Sequence, residues 1–177
     1  MSRRHGPSLP VPAVPAAALI LLAATAPPPI HAAGSSVTST TKAFVVEPPG
    51  PGRTRELLLP ASKVSPGDVV EYRLDYQNAT EKTTFPTLTV KTAVPPGTEY
   101  VPASAAGQGK YRTLFSADGG VTFSPPPVRD NGVEVPPARY THVQWTALDP
   151  LAPGGLRQYR YRVRVLTAAP AYQPRRR

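Results

Sequence analysis

The sequence predicts an all-β antiparallel sandwich with one core, and three observations support this fold class. The chain has 177 residues, which suits a single domain with short extensions. It contains 25 prolines, which break helices and favour short strands joined by stiff loops. Beyond the N-terminus, apolar and polar residues alternate with a period of two and show no sustained helical period. Because 40% of the residues are hydrophobic, the domain can bury one modest core.

The first predicted element is an export signal over residues 1–33. Arg3 and Arg4 precede the apolar run AAALILLAATA, which is too short to span a bilayer. Small residues follow, so we expect cleavage after Ala33 or Ala32, with an uncleaved anchor as the alternative. The absence of cysteine excludes disulfides, thiol chemistry and lipid attachment through cysteine. An exported domain without disulfides is typical of the bacterial periplasm or cell exterior.

The chain is mildly basic. Removing residues 1–33 takes away two arginines and lowers the formal net charge from +9 to +7. Part of the remainder lies in a predicted basic flexible tail over residues 169–177, which ends in Arg175, Arg176 and Arg177. A nucleic-acid-binding surface needs denser basic clusters with interleaved aromatic residues. We therefore expect no nucleic-acid partner, and no membrane span once the signal is removed.

The predicted sandwich covers residues 44–168, after a polar segment over residues 34–43 that we expect to be a flexible lead-in. Its longest strand follows the turn SPGD and alternates between core-facing and polar residues. The core-facing set is Val70, Tyr72, Leu74 and Tyr76, and the opposite set is Glu71, Arg73, Asp75 and Gln77. A second strand repeats the pattern before a PPG turn, with Leu88, Val90, Thr92 and Val94 on one face.

Turns are predicted where glycine or asparagine can adopt a positive φ. One hairpin turn lies in SADGGVTF and a second at Asn131-Gly132. Asn78, which begins the glycosylation sequon NAT, is interpreted as a turn residue. The strand THVQWTAL is expected to bury Val143 and Trp145 together. The predicted core therefore consists of Val70, Tyr72, Leu74, Tyr76, Val90, Trp145, Tyr161 and Val163.

The last strand, QYRYRVRV, also alternates and carries three arginines on one face. Its core-facing set is Tyr159, Tyr161, Val163 and Val165, while Gln158, Arg160, Arg162 and Arg164 point the other way. We predict that the arginines face solvent and form cross-strand ion pairs with Glu71 and Asp75, worth a few tenths of a kcal/mol. The alternative is a polyanion-binding face built from Arg160, Arg162 and Arg164, together with Arg175, Arg176 and Arg177.

Many short strands about ten residues apart indicate a sandwich of immunoglobulin type. The segments SPGDVVEYRLDYQNAT, TVKTAVPPGTEYV and VQWTALDPLAPGGLRQYRYRVRV, within residues 64–166, resemble the bacterial conserved repeat domain known as domain of unknown function number eleven. The matching positions are Gly67, Asp68, Asn78, Pro95, Gly97, Tyr100, Val101, Trp145, Leu151, Pro153 and Gly154. The resemblance implies an immunoglobulin-like, exported surface domain and no particular activity. The chain departs from the family pattern by carrying Thr92 where Asp is usual, and by having one copy.

Residues that could catalyse a reaction or bind a metal are few. His142 is the only histidine after residue 33, and neither cysteines nor clustered carboxylates offer a transition-metal site. SADGGVTF matches the Asp-box of sialidase-like β-propellers, but a single copy is interpreted as a turn. The stretch from Asp130 to Glu134 could hold a loose Ca²⁺, although Asn-Gly is the ordinary hairpin signal. The sequence contains neither a nucleophile elbow nor a glycine-rich phosphate loop.

We therefore predict a non-enzymatic exported domain, with no cofactor and no metal, in a structural or protein-interaction role in the bacterial envelope or outside the cell. An envelope or surface protein could add a strand to an exposed sheet edge. The alternative is a binding module for anionic glycans or other envelope polyanions through the arginine-bearing strand face. A hydrolase with unassigned carboxylates is the third class.

Overall fold

The computed structural model describes residues 37–167 and shows an all-β domain built from antiparallel strands, as predicted. The strands are β1 Val37–Glu47, β2 Leu57–Pro60, β3 Val69–Asn78, β4 Thr89–Ala93, β5 Thr98–Tyr100, β6 Ala106–Gly107, β7 Tyr111–Ser116, β8 Arg129–Asp130, β9 Val133–Glu134, β10 His142–Ala147 and β11 Leu156–Val165. A short 3-10 helix spans Pro137–Arg139. Across these described residues, no helix is long and apolar enough to cross a membrane. The predicted signal over 1–33 and the predicted tail over 169–177 lie outside the described residues.

Two antiparallel sheets share the core. The larger one, sheet A, has six strands in the order β2-β1-β3-β11-β5, with β6 also pairing with β11. The smaller one, sheet B, has three strands in the order β4-β10-β7, and β8 and β9 form a separate hairpin. The long strands β3 and β11 lie side by side in the middle of sheet A. Sheet A therefore presents one face to sheet B and the opposite, outer face away from it.

The core lies between the two sheets, and all eight residues that the period-two alternation assigned to it are buried there, together with further residues that the prediction did not include, such as Tyr100, Phe115 and Tyr140. Val70, Tyr72, Leu74, Tyr76, Val90, Trp145, Tyr161 and Val163 are each at most 4% exposed. Trp145 of sheet B stacks on Tyr159 of sheet A, with ring centroids 5.3 Å apart. Tyr161 and Tyr72 stack at the same distance on neighbouring strands. Aromatic contacts of this kind add to the burial of apolar surface that stabilises the domain.

The predicted flexible lead-in is wrong for residues 37–43, because they form the first part of β1. This strand pairs with β3 in a continuous register from Val37 opposite Asn78 to Val45 opposite Val70. The polar composition suggested flexibility, but threonine has a good strand propensity once a neighbouring strand supplies backbone partners. The domain therefore begins before the predicted boundary at residue 44.

Glu71 lies on the outer face of β3, as its position in the alternation requires, but it does not face solvent. Its side chain is only 1% exposed because Arg73 and Arg162 cover the carboxylate. Arg73 Nε donates to Oε1 at 2.8 Å and Arg162 Nε donates to Oε2 at 2.9 Å. Burial alone would raise the pKa of Glu71, but these hydrogen bonds outweigh it and hold the pKa below its ordinary value. The predicted cross-strand ion pair with Glu71 is confirmed, in a buried form. The predicted pair with Asp75 is wrong, because the strand register places Gln158 and not an arginine opposite it, and Gln158 donates to its carboxylate.

Asn78 is fully buried at the end of β3, and its side-chain amide makes four hydrogen bonds. The amide nitrogen donates to the carbonyl oxygens of Thr83 and Leu151, at 2.7 and 3.1 Å. The amide oxygen accepts hydrogen bonds from the backbone N–H and the hydroxyl of Thr80. The turn interpretation of the sequon is confirmed, since the Asn78 side chain accepts from the backbone N–H two residues on. The amide nitrogen that a glycan would need is engaged inside the protein.

The Asn131-Gly132 turn joins β8 to β9, and the two residues have φ values of 48° and 81°. Larger side chains clash at such positive φ values, which explains why Asn and Gly occupy the turn. The hairpin interpretation of the stretch from Asp130 to Glu134 is confirmed. Between residues 37 and 167, no group of three His, Asp or Glu side chains is placed to hold a metal ion.

Candidate anion-binding site

Three cationic side chains lie next to one another on the outer face of sheet A. The strand register places Lys42 of β1 opposite Arg73 of β3, and Arg73 opposite Arg160 of β11. Directly opposed residues of antiparallel strands have Cβ atoms about 5 Å apart, so like charges at these positions repel each other. We call Lys42, Arg73 and Arg160 the cationic row.

Carboxylates compensate the cationic row only in part. Arg73 donates to Glu71 and also lies over the ring of Phe44, with its guanidinium carbon 5.2 Å from the ring centroid. Lys42 and Arg160 are exposed, and neither forms an ion pair with another described residue. Two of the three cations, Lys42 and Arg160, therefore lack an ion-pair partner among the described residues, although Arg160 lies near enough to Glu56 to help lower the pKa of that carboxyl.

The other two outward-facing arginines of β11, Arg162 and Arg164, lie next to carboxylates. Arg162 binds Glu71 and also donates from both terminal nitrogens to the two oxygens of Glu56, at 3.0 and 2.7 Å. Arg164 lies 3.8 Å from Glu99. The predicted polyanion-binding set is thus divided, since only Arg160 belongs to the cationic row. Its remaining predicted members, Arg175, Arg176 and Arg177, lie outside the described residues.

A pocket with a volume of about 300 Å³ opens beside the cationic row. Arg73 and Arg160 form one side, and the next outward-facing pair along the same strands, Asp75 and Gln158, forms the adjoining side. The short strand β6 and the following Gln108 complete the wall. This volume lies at the small end of the range for small-molecule sites. The pocket can therefore receive one small unit of a ligand.

Hydrogen bonds order the polar wall of the pocket. Gln108 Nε2 donates to Gln158 Oε1 at 2.6 Å, and Gln158 Nε2 donates to Asp75 Oδ1 at 2.9 Å. No other described residue forms a hydrogen bond or ion pair with the Asp75 carboxylate. Its second oxygen is thus free to accept a hydrogen bond from a ligand.

Gly107 of β6 allows this wall to approach β11 closely. A Cβ atom added to Gly107 would lie 2.5 Å from Cδ1 of the buried Tyr159 ring. Any larger residue would push β6 away from the sheet and open the pocket on that side. The pocket therefore depends on a glycine that shows no turn signal in the sequence.

No family model, curated protein or solved structure matches the chain. The likeness to the bacterial conserved repeat domain therefore stays a prediction from its turn and core residues. The chemistry of the cationic row and its pocket has to be inferred from their own side chains.

Sequence reasoning identified one member of the cationic row, Arg160, as a candidate ligand-binding residue. It placed Arg73 correctly on the outer face but gave it no binding role, and it placed Lys42 in the flexible lead-in. The available signal for β1 was its β-branched residues Val37, Thr38, Thr40 and Thr41, which favour strands. Gln108 offered no signal, because β6 is two residues long.

The Asp-box turn keeps its carboxylate for internal hydrogen bonds. Asp118 accepts from the hydroxyls of Ser116 and Thr122 and from the backbone N–H groups of Val121 and Thr122. The hydrogen bond from Ser116, followed by those from Thr122, holds the pKa of Asp118 well below its ordinary value. The turn interpretation of this motif is confirmed, and the carboxylate is poorly suited to accept a proton.

His142 lies on β10 next to this turn. Its ring meets Phe123 edge to face with centroids 6.4 Å apart, and its Nδ1 lies 3.2 Å from the hydroxyl of Thr141. That hydroxyl donates to the carbonyl of Ser116 and accepts from the N–H of Gly119. Burial lowers the pKa of His142, so the ring is largely neutral at pH 7. These contacts support the turn.

Proposed function

We propose that this protein is a non-enzymatic binding domain that holds an anionic ligand at the cationic row. The observation that carries the proposal is the adjacency of Lys42, Arg73 and Arg160 across three neighbouring strands, with a pocket at one end of the row. Opposed like charges destabilise a sheet, and a bound anion would remove that repulsion. This repulsion is a cost to the folded sheet, and binding sites often retain such unfavourable contacts.

The proposal includes the place where the domain works. The N-terminal arginines, the apolar run and the absence of cysteine support export to the bacterial envelope or beyond it. The two antiparallel sheets support an immunoglobulin-like sandwich that presents its outer face to a partner. Anionic glycans and other envelope polyanions carry the charge that complements the cationic row.

The change Arg160→Gln tests this site, and we expect it to weaken binding of polygalacturonate by about tenfold. Arg160 contributes a charged hydrogen bond to the anion, and the loss of one such bond typically costs about 1.5–3 kcal/mol. Isothermal titration calorimetry at low salt would measure the affinity. Added salt should weaken the wild-type complex, because exposed charges are screened.

The matched control is Arg164→Gln, on the same face of the same strand. It removes the same charge, but Arg164 lies near Glu99 and does not line the pocket. We expect this control to change the affinity by less than about threefold, because an exposed charge outside the pocket contributes little to binding. Equal losses in the two variants would show that the ligand responds to net charge and not to the cationic row.

A second candidate function is protein interaction by strand addition, which the free edge of β1 supports. β2 pairs with β1 only from Phe44 to Glu47, so residues 37–42 have β3 as their one strand partner among the described residues. The carbonyl of Ala43 accepts from the N–H of Ala61, on the side away from β3. Because backbone groups alternate along a strand, the backbone N–H and C=O groups of Ser39 and Thr41 point to this open side. A strand of an envelope protein could pair there.

The change Ser39→Pro tests the edge, and we expect it to abolish binding of any partner that adds a strand to β1. Proline removes an outward N–H group and leaves the hydrogen bonds to β3 in place. The measurement is a pull-down from an envelope extract of the source organism, in low salt and in about 0.5 M salt, where exposed charge pairs are screened. Ser39→Thr keeps the N–H group and should bind like the wild type. A partner that Ser39→Pro still retains would contradict strand addition at this edge.

A further inference from the structure

We infer that the pocket beside the cationic row recognises a hydroxylated carboxylate, and specifically a uronic acid unit of an acidic polysaccharide. The inference deepens the proposed function and rests on it, because the cationic row supplies the contact to the carboxylate. Two features of the described residues go beyond a general attraction for anions. One is an unpaired carboxylate inside the pocket, and the other is a second exposed cation outside it.

The unpaired carboxylate is that of Asp75. It lines the same pocket as Arg73 and Arg160, yet it forms an ion pair with neither of them. Its hydrogen-bond partner among the described residues is Gln158, which uses one of its two oxygens. A ligand that carried only negative charge would bring that charge close to Asp75 and be repelled. A ligand with a hydroxyl group next to its carboxylate would instead donate to Asp75 and bind Arg160.

The neutral wall of the pocket also suits hydroxyl groups. Gln108 and Gln158 are tied to each other by a hydrogen bond, so their amide groups are held in place. Side-chain amides both donate and accept, as hydroxyl groups do, and they carry no charge. One wall thus matches a carboxylate and the adjoining walls match hydroxyls. A sugar acid presents both kinds of group on one small ring.

The second cation points to a polymer. Lys42 belongs to the cationic row but does not line the pocket. Neighbouring strands lie about 4.8 Å apart, so Lys42 on β1 and Arg160 on β11 are separated by about 10 Å at the sheet surface. A single sugar acid in the pocket has Arg73 and Arg160 as its cationic contacts, because these line the pocket and Lys42 does not. A polysaccharide with repeated carboxylates can bind Arg160 with one unit and Lys42 with another.

The test compares three polymers of matched length by isothermal titration calorimetry on the full chain. Polygalacturonate carries carboxylates and hydroxyls, polyacrylate carries carboxylates without hydroxyls, and dextran carries hydroxyls without charge. We expect polygalacturonate to bind at least about tenfold more tightly than polyacrylate, because only its hydroxyls satisfy Asp75. Dextran is expected not to bind measurably. Since polyacrylate has the higher charge density, general electrostatics predicts the opposite order.

The change Asp75→Asn separates recognition of hydroxyls from attraction of anions. It keeps the shape of the side chain and an oxygen that can accept from Gln158. We expect it to weaken polygalacturonate by about tenfold through the lost charged hydrogen bond, while polyacrylate binds as well as before or more tightly. Asp130→Asn, in the exposed hairpin strand β8, makes the same change in charge away from the pocket and should leave both affinities unaltered.

The outcomes distinguish the two levels of the proposal. Equal binding of polygalacturonate and polyacrylate would overturn the inference and leave the anion-binding function standing. The same would follow if Asp75→Asn changed both affinities alike. If neither polyanion bound the wild-type protein, the proposed function and the inference would both fail.

Discussion

Replacing Trp145 with alanine is expected to lower the free energy of unfolding by about 3–5 kcal/mol. Trp145 is 0% exposed, stacks on Tyr159 at 5.3 Å and lies against Tyr161 at 6.1 Å. Its ring therefore joins sheet B to the middle of sheet A. Neighbouring rings can fill the space it leaves only in part, because their own strands restrain them. Domains typically have a free energy of unfolding of about 5–15 kcal/mol, so this loss is a large fraction of the total stability.

Urea unfolding followed by circular dichroism measures this effect, since the substitution removes the one tryptophan of the chain as a fluorescent probe. Leu148→Ala is the control, because Leu148 follows β10 directly and is 56% exposed. We expect the control to cost less than about 0.5 kcal/mol. A cost below about 1 kcal/mol for Trp145→Ala would contradict the assignment of Trp145 to a packed core.

Replacing Glu71 with glutamine is expected to cost about 2–3 kcal/mol near pH 7. The carboxylate of Glu71 accepts one hydrogen bond from each of two arginines, Arg73 and Arg162. Glutamine keeps one acceptor oxygen, but its NH₂ group would face an arginine N–H that is also a donor. One buried hydrogen bond to a charged group is lost, and two donors are left opposed.

The cost of Glu71→Gln is also expected to depend on pH. The arginines hold the folded-state pKa of Glu71 below the ordinary value of 4.5, despite the opposing effect of burial. The ionised carboxylate therefore contributes its stabilisation above pH 4.5, and this contribution is lost as the pH falls through the lower, folded-state pKa. The difference in unfolding free energy between wild type and variant should be largest near neutral pH and shrink on acidification.

Urea unfolding of both proteins at neutral pH and in acid measures this difference. Glu134→Gln, at an exposed position in β9, makes the same chemical change and should have little effect at either pH. If Glu71→Gln cost as much in acid as at neutral pH, the stabilisation would not come from the ionised carboxylate. The Glu71 side chain would then stabilise the fold through its packing and not through its charge.

The two largest corrections to the sequence-based predictions have one physical cause. Lys42 lies in a polar stretch that forms a strand only because β3 is available as a partner. Glu71 sits at an outward position that becomes buried only because Arg162 of β11 and Arg73 cover it. In both cases the outcome depends on which strands pair and in which register, and a local sequence pattern does not contain that information.

The sequence by itself determined the core-facing residues of the long alternating strands and several of the turns. Tyr72, Trp145 and Tyr161 were assigned to the interior because residues of a strand alternate between two faces, which is a local rule. The Asn131-Gly132 turn followed from the backbone preferences of two residues. Only the tertiary structure decided which charges meet. Lys42, Arg73 and Arg160 come from three separate segments, and the register of three strands places them side by side. Among the described residues, only Arg73 of the three has an ion-pair partner.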